Sequence, residues 1–316
     1  MSIAGLFPGQ GSQSLGMLSE LADSFALIQQ TFAEAADILG QDFWQMSQQG
    51  SEAALNSTEN TQPLMLLADI SVWRVWLSQG GCRPVAVAGH SLGEYAALVA
   101  ADVLSLADAL SLVAQRAHLM QHAVPAGQGA MAALLGLDDE QVIAACAEAA
   151  LGEVVEAVNF NAPGQVVIAG QRAAVERAIT LAKAKGAKRA VLLPVSVPSH
   201  CSLMKPAAEQ LSSALEDVVL QVPTMPVLQN IEGTAQANLE AMRMALAQQL
   251  YQPVRWASTI RHLQTDYQVE QLIEFGPGKV LSSLNKRIGR GLASVCISDN
   301  ASLEAALKWC EGNSSA

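Results

Sequence analysis

The chain has 316 residues, 51% of them hydrophobic and only 15% charged, against a usual ~25% charged. This is enough apolar material for a large core, in one large domain or two unequal ones, and it excludes a disordered chain. Eighteen Lys and Arg against 29 Asp and Glu leave a net charge of −11, which argues against broad binding to nucleic acid or to an anionic membrane surface. No apolar run reaches the ~18 residues of a membrane span. Met1 to Pro8 lacks the basic stretch of a secretory signal. The cysteines, Cys82, Cys146, Cys201, Cys296 and Cys310, are scattered without a C-x-x-C. They support neither a disulfide framework nor a zinc site, so reduced thiols and a cytoplasmic location are expected.

From the N-terminus, Ile3 to Phe7 predicts a short buried strand running into Pro8-Gly9-Gln10-Gly11-Ser12-Gln13. The glycines let backbone approach a ligand closely. The amides of this loop can supply an oxyanion donor, or the loop can be a plain strand-to-helix turn. Leu15 to Leu39 carries Leu18, Leu21, Phe25, Ile28, Phe32 and Ala35 at helical spacing, which predicts one helix stopped by Gly40. A second helix opens at Thr61-Gln62-Pro63 and sets Leu66, Ile70, Trp73 and Leu77 on one face. Trp73 and Trp76 read as packing groups.

The apolar run Val85-Ala86-Val87-Ala88 then meets Gly89-His90-Ser91-Leu92-Gly93-Glu94-Tyr95, followed by a helical run from Ala96. Strand, sharp turn and helix, with a serine at the apex, is the context in which G-x-S-x-G presents a nucleophile. The turn is too tight for side chains at its two glycines, and the N–H after the serine points to where an oxyanion forms. A glycine turn whose serine merely caps the helix is the plainer alternative. Ser105-Leu106-Ala107-Asp108 resembles a capping box for a helix reaching about Ala123. Within it Arg116 has apolar neighbours (Val113, Ala114, Ala117, Leu119), yet on local grounds it belongs to a solvated face, as do His118 and His122.

Pro125-Ala126-Gly127-Gln128-Gly129 breaks the pattern. Beyond it come a strand (Ala130 to Leu137), a helix (Asp138 to Ala150), two strands (Val154 to Phe160, Gln165 to Ala169), a helix (Gln171 to Lys185) and a strand (Ala190 to Val197). That order, βαββαβ, is the ferredoxin-like unit. It predicts a subdomain over residues 127–197 inserted between two parts of a core, 1–126 and 198–316. After Pro198-Ser199-His200-Cys201, helices at Ser202 to Asp217, Leu239 to Leu250 and Pro253 to near Tyr267 alternate with strands at Met225 to Ile231, Val269 to Phe275 and Ala293 to Ile297. Gly276-Pro277-Gly278 leads into a helix carrying Lys279, Lys286 and Arg287, and Ser302 to Trp309 forms a last helix. The class is α/β, with a mainly parallel sheet covered on both faces.

A serine hydroxyl needs a base within hydrogen-bond reach. His200 is favoured, because it follows a strand in the loop where the chain re-enters the core. His90, beside Ser91 on a strained turn, points away and is an orienting group, while His262 sits among polar neighbours. Asp102, Asp108, Asp138 and Asp139 lie between Ser91 and His200 as nominal third members, but all look like helix-start or surface residues. A backbone carbonyl can orient an imidazole instead, and the residues leave the choice open.

Taken together, Phe7-Pro8-Gly9-Gln10-Gly11-Ser12-Gln13, the Ser91 heptapeptide, Arg116 with Met120, Asn159-Phe160-Asn161-Ala162-Pro163-Gly164-Gln165, Pro198-Ser199-His200, Gln249-Leu250-Tyr251 and Gly276-Pro277-Gly278-Lys279 resemble the malonyl-CoA:acyl carrier protein transacylase family of bacterial fatty acid synthesis. The resemblance runs from residue 3 to about 310, with the motifs in the family's order and spacing. It implies a hydrolase-like core carrying the inserted ferredoxin-like unit. It also implies Ser91 as the nucleophile, His200 as the base oriented by the main-chain carbonyl of Gln249, and the N–H groups of Gln10 and Leu92 as the oxyanion hole. Arg116 would bind the malonyl carboxylate, against the local reading of that residue. His90, Met120 and Asn161, which stand in the matching motifs, are assigned to the substrate site. Malonyl-CoA and acyl carrier protein are the implied partners, with neither cofactor nor metal. A serine thioesterase on the same elbow is the alternative.

Overall fold

The computed structural model describes residues 2–195, 197–289 and 291–311. Its strands, in chain order, are β1 (Ser2–Phe7), β2 (Ala86–Gly89), β3 (Gly129–Leu135), β4 (Val155–Ala162), β5 (Gln165–Gln171), β6 (Arg189–Leu192), β7 (Val227–Gln229), β8 (Thr234–Ala235), β9 (Val269–Phe275) and β10 (Ala293–Ile297). They form two sheets. One has the order β10-β9-β1-β2-β7-β8 and is parallel except for the short β8, which runs antiparallel to β7. The other, β4-β5-β3-β6, is antiparallel throughout. With helices Asp139–Ala150 and Arg172–Ala184 packed on it, the second sheet has the βαββαβ order expected of the inserted unit.

The register of the parallel sheet sets up the site. Phe7 at the end of β1 lies opposite Gly89 at the end of β2, and β7 pairs with β2 through Val87 and Ala88. Three neighbouring strands therefore end at one edge, and the loops that leave them bring Gln10, Ser91 and Asn230 together. This is the carboxyl-end crevice where open α/β sheets place their sites. Strand residues Ala4, Leu6, Ala86 and Ala88 pack on Trp256, Ile260 and Leu263 on one face. On the other face Phe7, Trp73, Trp76 and Phe275 form an aromatic cluster with centroid separations from 5.1 to 6.2 Å.

The helix Thr58–Ser78 departs from its expected amphipathic form. Every residue from Thr61 to Trp73 is buried, polar Gln62, Asp69 and Ser71 included, so it runs through the core rather than over it. The expected single helix over 15–39 is two, Ser19–Ser24 and Leu27–Leu39, with Phe25 extended between them. Gly40 does end the second, in the left-handed conformation. Short helices at Phe43–Gln49 and Glu52–Leu55 fill the stretch before Thr58. The strand expected over 190–197 stops at Leu192. Main-chain bonds join the inserted sheet to the core: Phe160 N–H donates to Val254 O at 2.9 Å, and Val254 N–H to Val158 O at 2.8 Å.

The cysteines correct one expectation. Cys82 and Cys310 are joined as a disulfide across 228 positions of sequence, whereas Cys146, Cys201 and Cys296 are free and buried. The bridge ties the C-terminal helix Asn300–Glu311 to the turn before β2. No helix among the described residues is long and apolar enough to cross a membrane.

Candidate active site

Ser91 is held at the apex of the turn between β2 and the helix Gly93–Ala100 with φ +52°, a left-handed conformation that costs a non-glycine residue ~1–3 kcal/mol. Its two flanking glycines are required by contact: a Cβ on Gly89 would fall on the backbone of Gly93, and one on Gly93 would fall on the Phe7 and Pro8 carbonyls. Asn230, at the end of β7, spans the turn. Its side-chain oxygen accepts the Ser91 N–H at 2.6 Å, and its amide donates to Gly89 O at 2.7 Å. The buried Glu94 in turn fixes this support, accepting Asn230 N–H at 2.8 Å and the Gln229 amide at 2.9 Å. Burial pushes the Glu94 carboxyl above its usual range, against those hydrogen bonds and the Arg116 charge.

The serine hydroxyl lies 2.7 Å from Nε2 of His200, whose Nδ1 lies 2.7 Å from the main-chain oxygen of Gln249. An Nδ1–H donated to that carbonyl leaves Nε2 as the acceptor facing Ser91 Oγ. His200 is 3% exposed and also sits at positive φ, +67°, with its N–H donated to Leu250 O at 2.9 Å. Burial first, then the Arg116 and His90 charges, lower its pKa to about 3, against the Gln249 hydrogen bond. Asp102, Asp108, Asp138 and Asp139 stand elsewhere; Asp108 and Asp138, for instance, belong to helix N-termini.

Arg116 is 1% exposed, not solvated. One Nη donates to Gln62 Oε1 at 2.6 Å; the other donates to Gln249 Oε1 at 2.9 Å and lies 3.3 Å from Ser91 Oγ. Nε has no partner among the described residues. A fully buried cation with no acidic partner in hydrogen-bond contact keeps part of its donor capacity for a ligand. Gln249 thus serves three groups, since its amide also donates to Ser91 O at 3.0 Å.

The other expected site residues distribute around a cleft of about 210 Å³ lined by Gly9, Gln10, His90, Ser91, Asn161 and His200, with the apolar Met131, Val167, Leu193 and Leu284. His90 Nε2 lies 2.8 Å from Asn161 Oδ1, which links the elbow to the inserted sheet; burial lowers its pKa. Leu92 is buried, and a Cβ on Gly9 would come within 3.7 Å of its N, so the Gln10 loop lies against the elbow. The Leu92 and Gln10 N–H groups have no protein acceptor among the described residues. Met120 is buried behind the cleft, its sulfur 3.7 Å from the Gln62 amide. Sequence reasoning missed Gln62, Asn230 and the support role of Glu94.

A strained serine on an elbow, hydrogen-bonded to a histidine and backed by a buried arginine, is the arrangement of an α/β enzyme that moves acyl groups. A family model described as "Acyl transferase domain" matches residues 6–297. The malonyl CoA-acyl carrier protein transacylase of Salmonella typhimurium is 52% identical over 302 residues, covering 96% of this chain and 97% of its own. The protein of that name from Bacillus subtilis is 42% identical over 97% of this chain and 96% of its own. Among solved structures, a malonyl-transacylase in complex with its type II PKS acyl-carrier protein superposes with a TM-score of 0.96 at 52% identity, over 98% of this chain and 99% of that one. The acyl carrier protein S-malonyltransferase of Vibrio cholerae gives 0.94 at 52% identity, over 96% and 99%. The chain belongs to the acyl transferase family, among its malonyl CoA-acyl carrier protein transacylases.

Proposed function

We propose that the protein transfers the malonyl group of malonyl-CoA to the phosphopantetheine thiol of acyl carrier protein, in the cytoplasm, through a malonyl ester on Ser91. The observation that carries this reading is the buried Arg116, 3.3 Å from the Ser91 hydroxyl, with its Nε unpaired among the described residues. A carboxylate at the far end of the acyl group supplies the partner that this cation lacks.

In the first half-reaction, His200 Nε2 takes the Ser91 proton as Oγ attacks the thioester carbonyl. The N–H groups of Leu92 and Gln10 receive the oxyanion, and His200 returns the proton to the departing CoA thiol. In the second, His200 deprotonates the carrier's thiol, the thiolate attacks the malonyl-serine ester, and the proton goes back to Ser91 Oγ. The base contributes typically ~10²–10⁴ in rate and each oxyanion donor ~10²–10³. Gln62 and Gln249 hold the guanidinium so that its remaining N–H groups face the malonyl carboxylate. The carrier approaches past the helix Val280–Ile288, whose Val280, Leu281 and Leu284 line the cleft and whose Lys286 and Arg287 are exposed.

The test is labelling. Wild-type protein incubated with radioactive malonyl-CoA acquires one acid-stable label and passes it to the carrier; Ser91→Ala acquires none. Label on the Ser91→Ala protein overturns the mechanism. Free malonate released in place of loaded carrier makes the protein a thioesterase.

A further inference from the structure

Two helices that meet at the substrate site also meet at the surface, one turn further out. Glu59 lies in the first turn of the helix Thr58–Ser78, and His118 and His122 lie in the last turns of the helix Leu106–His122. Spacing of four residues puts both imidazoles on one helix face, with ring centroids 4.3 Å apart. One nitrogen from each ring and one carboxylate oxygen of Glu59 lie within 4.8 Å of one another. His118 Nδ1 is 2.9 Å from Glu59 Oε1, and His122 Nδ1 is 3.9 Å from the same oxygen. All three side chains are solvent-accessible, at 64%, 63% and 42%.

We propose that Glu59, His118 and His122 form a surface site for a divalent transition-metal ion of the zinc, nickel or copper type. Metal–ligand bonds of ~2.0–2.1 Å in a tetrahedral site place ligand atoms ~3.4 Å apart, a value the two distances bracket. His122 Nδ1 also lies 2.9 Å from the main-chain oxygen of His118, so the ion takes that ring only once it turns away from the carbonyl, which its exposure allows. Two imidazoles and one carboxylate suit these ions; calcium and magnesium demand oxygen ligands. Three protein ligands leave at least one position to water. Cysteine spacing gives no hint of such a site, because its ligands are histidines and a carboxylate brought together from two helices.

The ion would clamp the helix pair directly behind the substrate cation. Arg116 stands two positions before His118, and Gln62 stands three positions after Glu59; the two side chains meet at 2.6 Å. Binding only to the folded chain, the metal raises its stability.

The experiment is a calorimetric titration of tag-free, chelator-treated full-length protein with zinc chloride, paired with thermal melts. Wild type takes up one equivalent, and its Tm rises with zinc. The His118→Gln/His122→Gln double variant and Glu59→Gln fold as wild type does by circular dichroism. They bind more than ~10-fold more weakly and show no such rise. Absence of saturable binding to wild type overturns the proposal. So does equal affinity in the double variant, which is what zinc captured by the buried His90 and His200 would produce.

Discussion

The Asn230 side-chain oxygen receives the Ser91 main-chain N–H at 2.6 Å, so the amide of the proposed nucleophile is occupied and the oxyanion proposed to form there must be met by other donors. The same side chain holds Gly89 O at 2.7 Å and thereby keeps Ser91 in a conformation it would not adopt unaided. Asn230→Ala leaves a buried N–H and a buried carbonyl unpaired, at about 1–3 kcal/mol for such a group. The expected outcome is a lower urea midpoint together with a fall in kcat, while KM for malonyl-CoA changes little. A variant that loses stability but keeps wild-type kcat would show that the staple supports the fold and not the elbow.

Arg116 should decide acyl preference. Arg116→Ala removes the only cation proposed to meet the malonyl carboxylate, and a hydrogen bond to a charged group is worth ~1.5–3 kcal/mol. The ratio of malonyl to acetyl loading should then fall by at least ~10-fold, measured by mass spectrometry of the carrier after exposure to mixed acyl-CoAs. Arg116→Lys keeps the charge but cannot reproduce the fork that donates to Gln62 and Gln249 at once, so it should behave more like alanine than like arginine. Unchanged selectivity in both variants would remove Arg116 from the role.

The His200 imidazole must be neutral to accept the serine proton, and its pKa is lowered to about 3 by burial, the Arg116 charge and His90. The acid limb of kcat/KM, which reports the free enzyme, should therefore lie well below the ordinary histidine value of ~6.5. Arg116→Ala removes one of the lowering causes, so the limb should move to higher pH in that variant. A limb that stays or moves down breaks the coupling. The folded pKa is depressed, so the unfolded chain binds the proton more readily. This contribution to stability is complete above the unfolded value of ~6.5 and is lost as pH falls from there toward about 3.

What was legible in the chain was local. Gly89 to Gly93 carries its geometry in adjacent residues, and the βαββαβ run carries its own periodicity and turns. Polar residues buried by distant partners were not legible. Asn230 touches Ser91 across 139 positions, and Gln62 touches Arg116 across 54; in sequence each is one more amide. Arg116 did carry an unread signal: Val113 and Met120, three before and four after it, are both buried, so the helix face they define passes through the arginine. The extended Phe25 escaped notice because Leu21, Phe25 and Ile28 keep helical spacing across it. Cys82 and Cys310 could not be paired from spacing, since the C-terminal helix is brought to that turn only by the tertiary fold.

Thiol counts and melting temperatures test that pairing directly. Linking residues 228 positions apart restricts the unfolded chain more than the folded one, with a typical effect of about 2–4 kcal/mol. Thiol labelling of protein purified without reductant and then denatured should count three free cysteines, Cys146, Cys201 and Cys296, where a fully reduced chain gives all five. Reductant should lower the Tm of the wild type and leave that of Cys82→Ala unchanged. Because the bridge anchors the helix Asn300–Glu311 to the turn before the amino end of β2, opposite the carboxyl end that carries Ser91, malonyl transfer in Cys82→Ala at low temperature should stay near the wild-type rate. Five labelled thiols in the untreated protein would return both residues to the reduced state and make the contact one of packing alone.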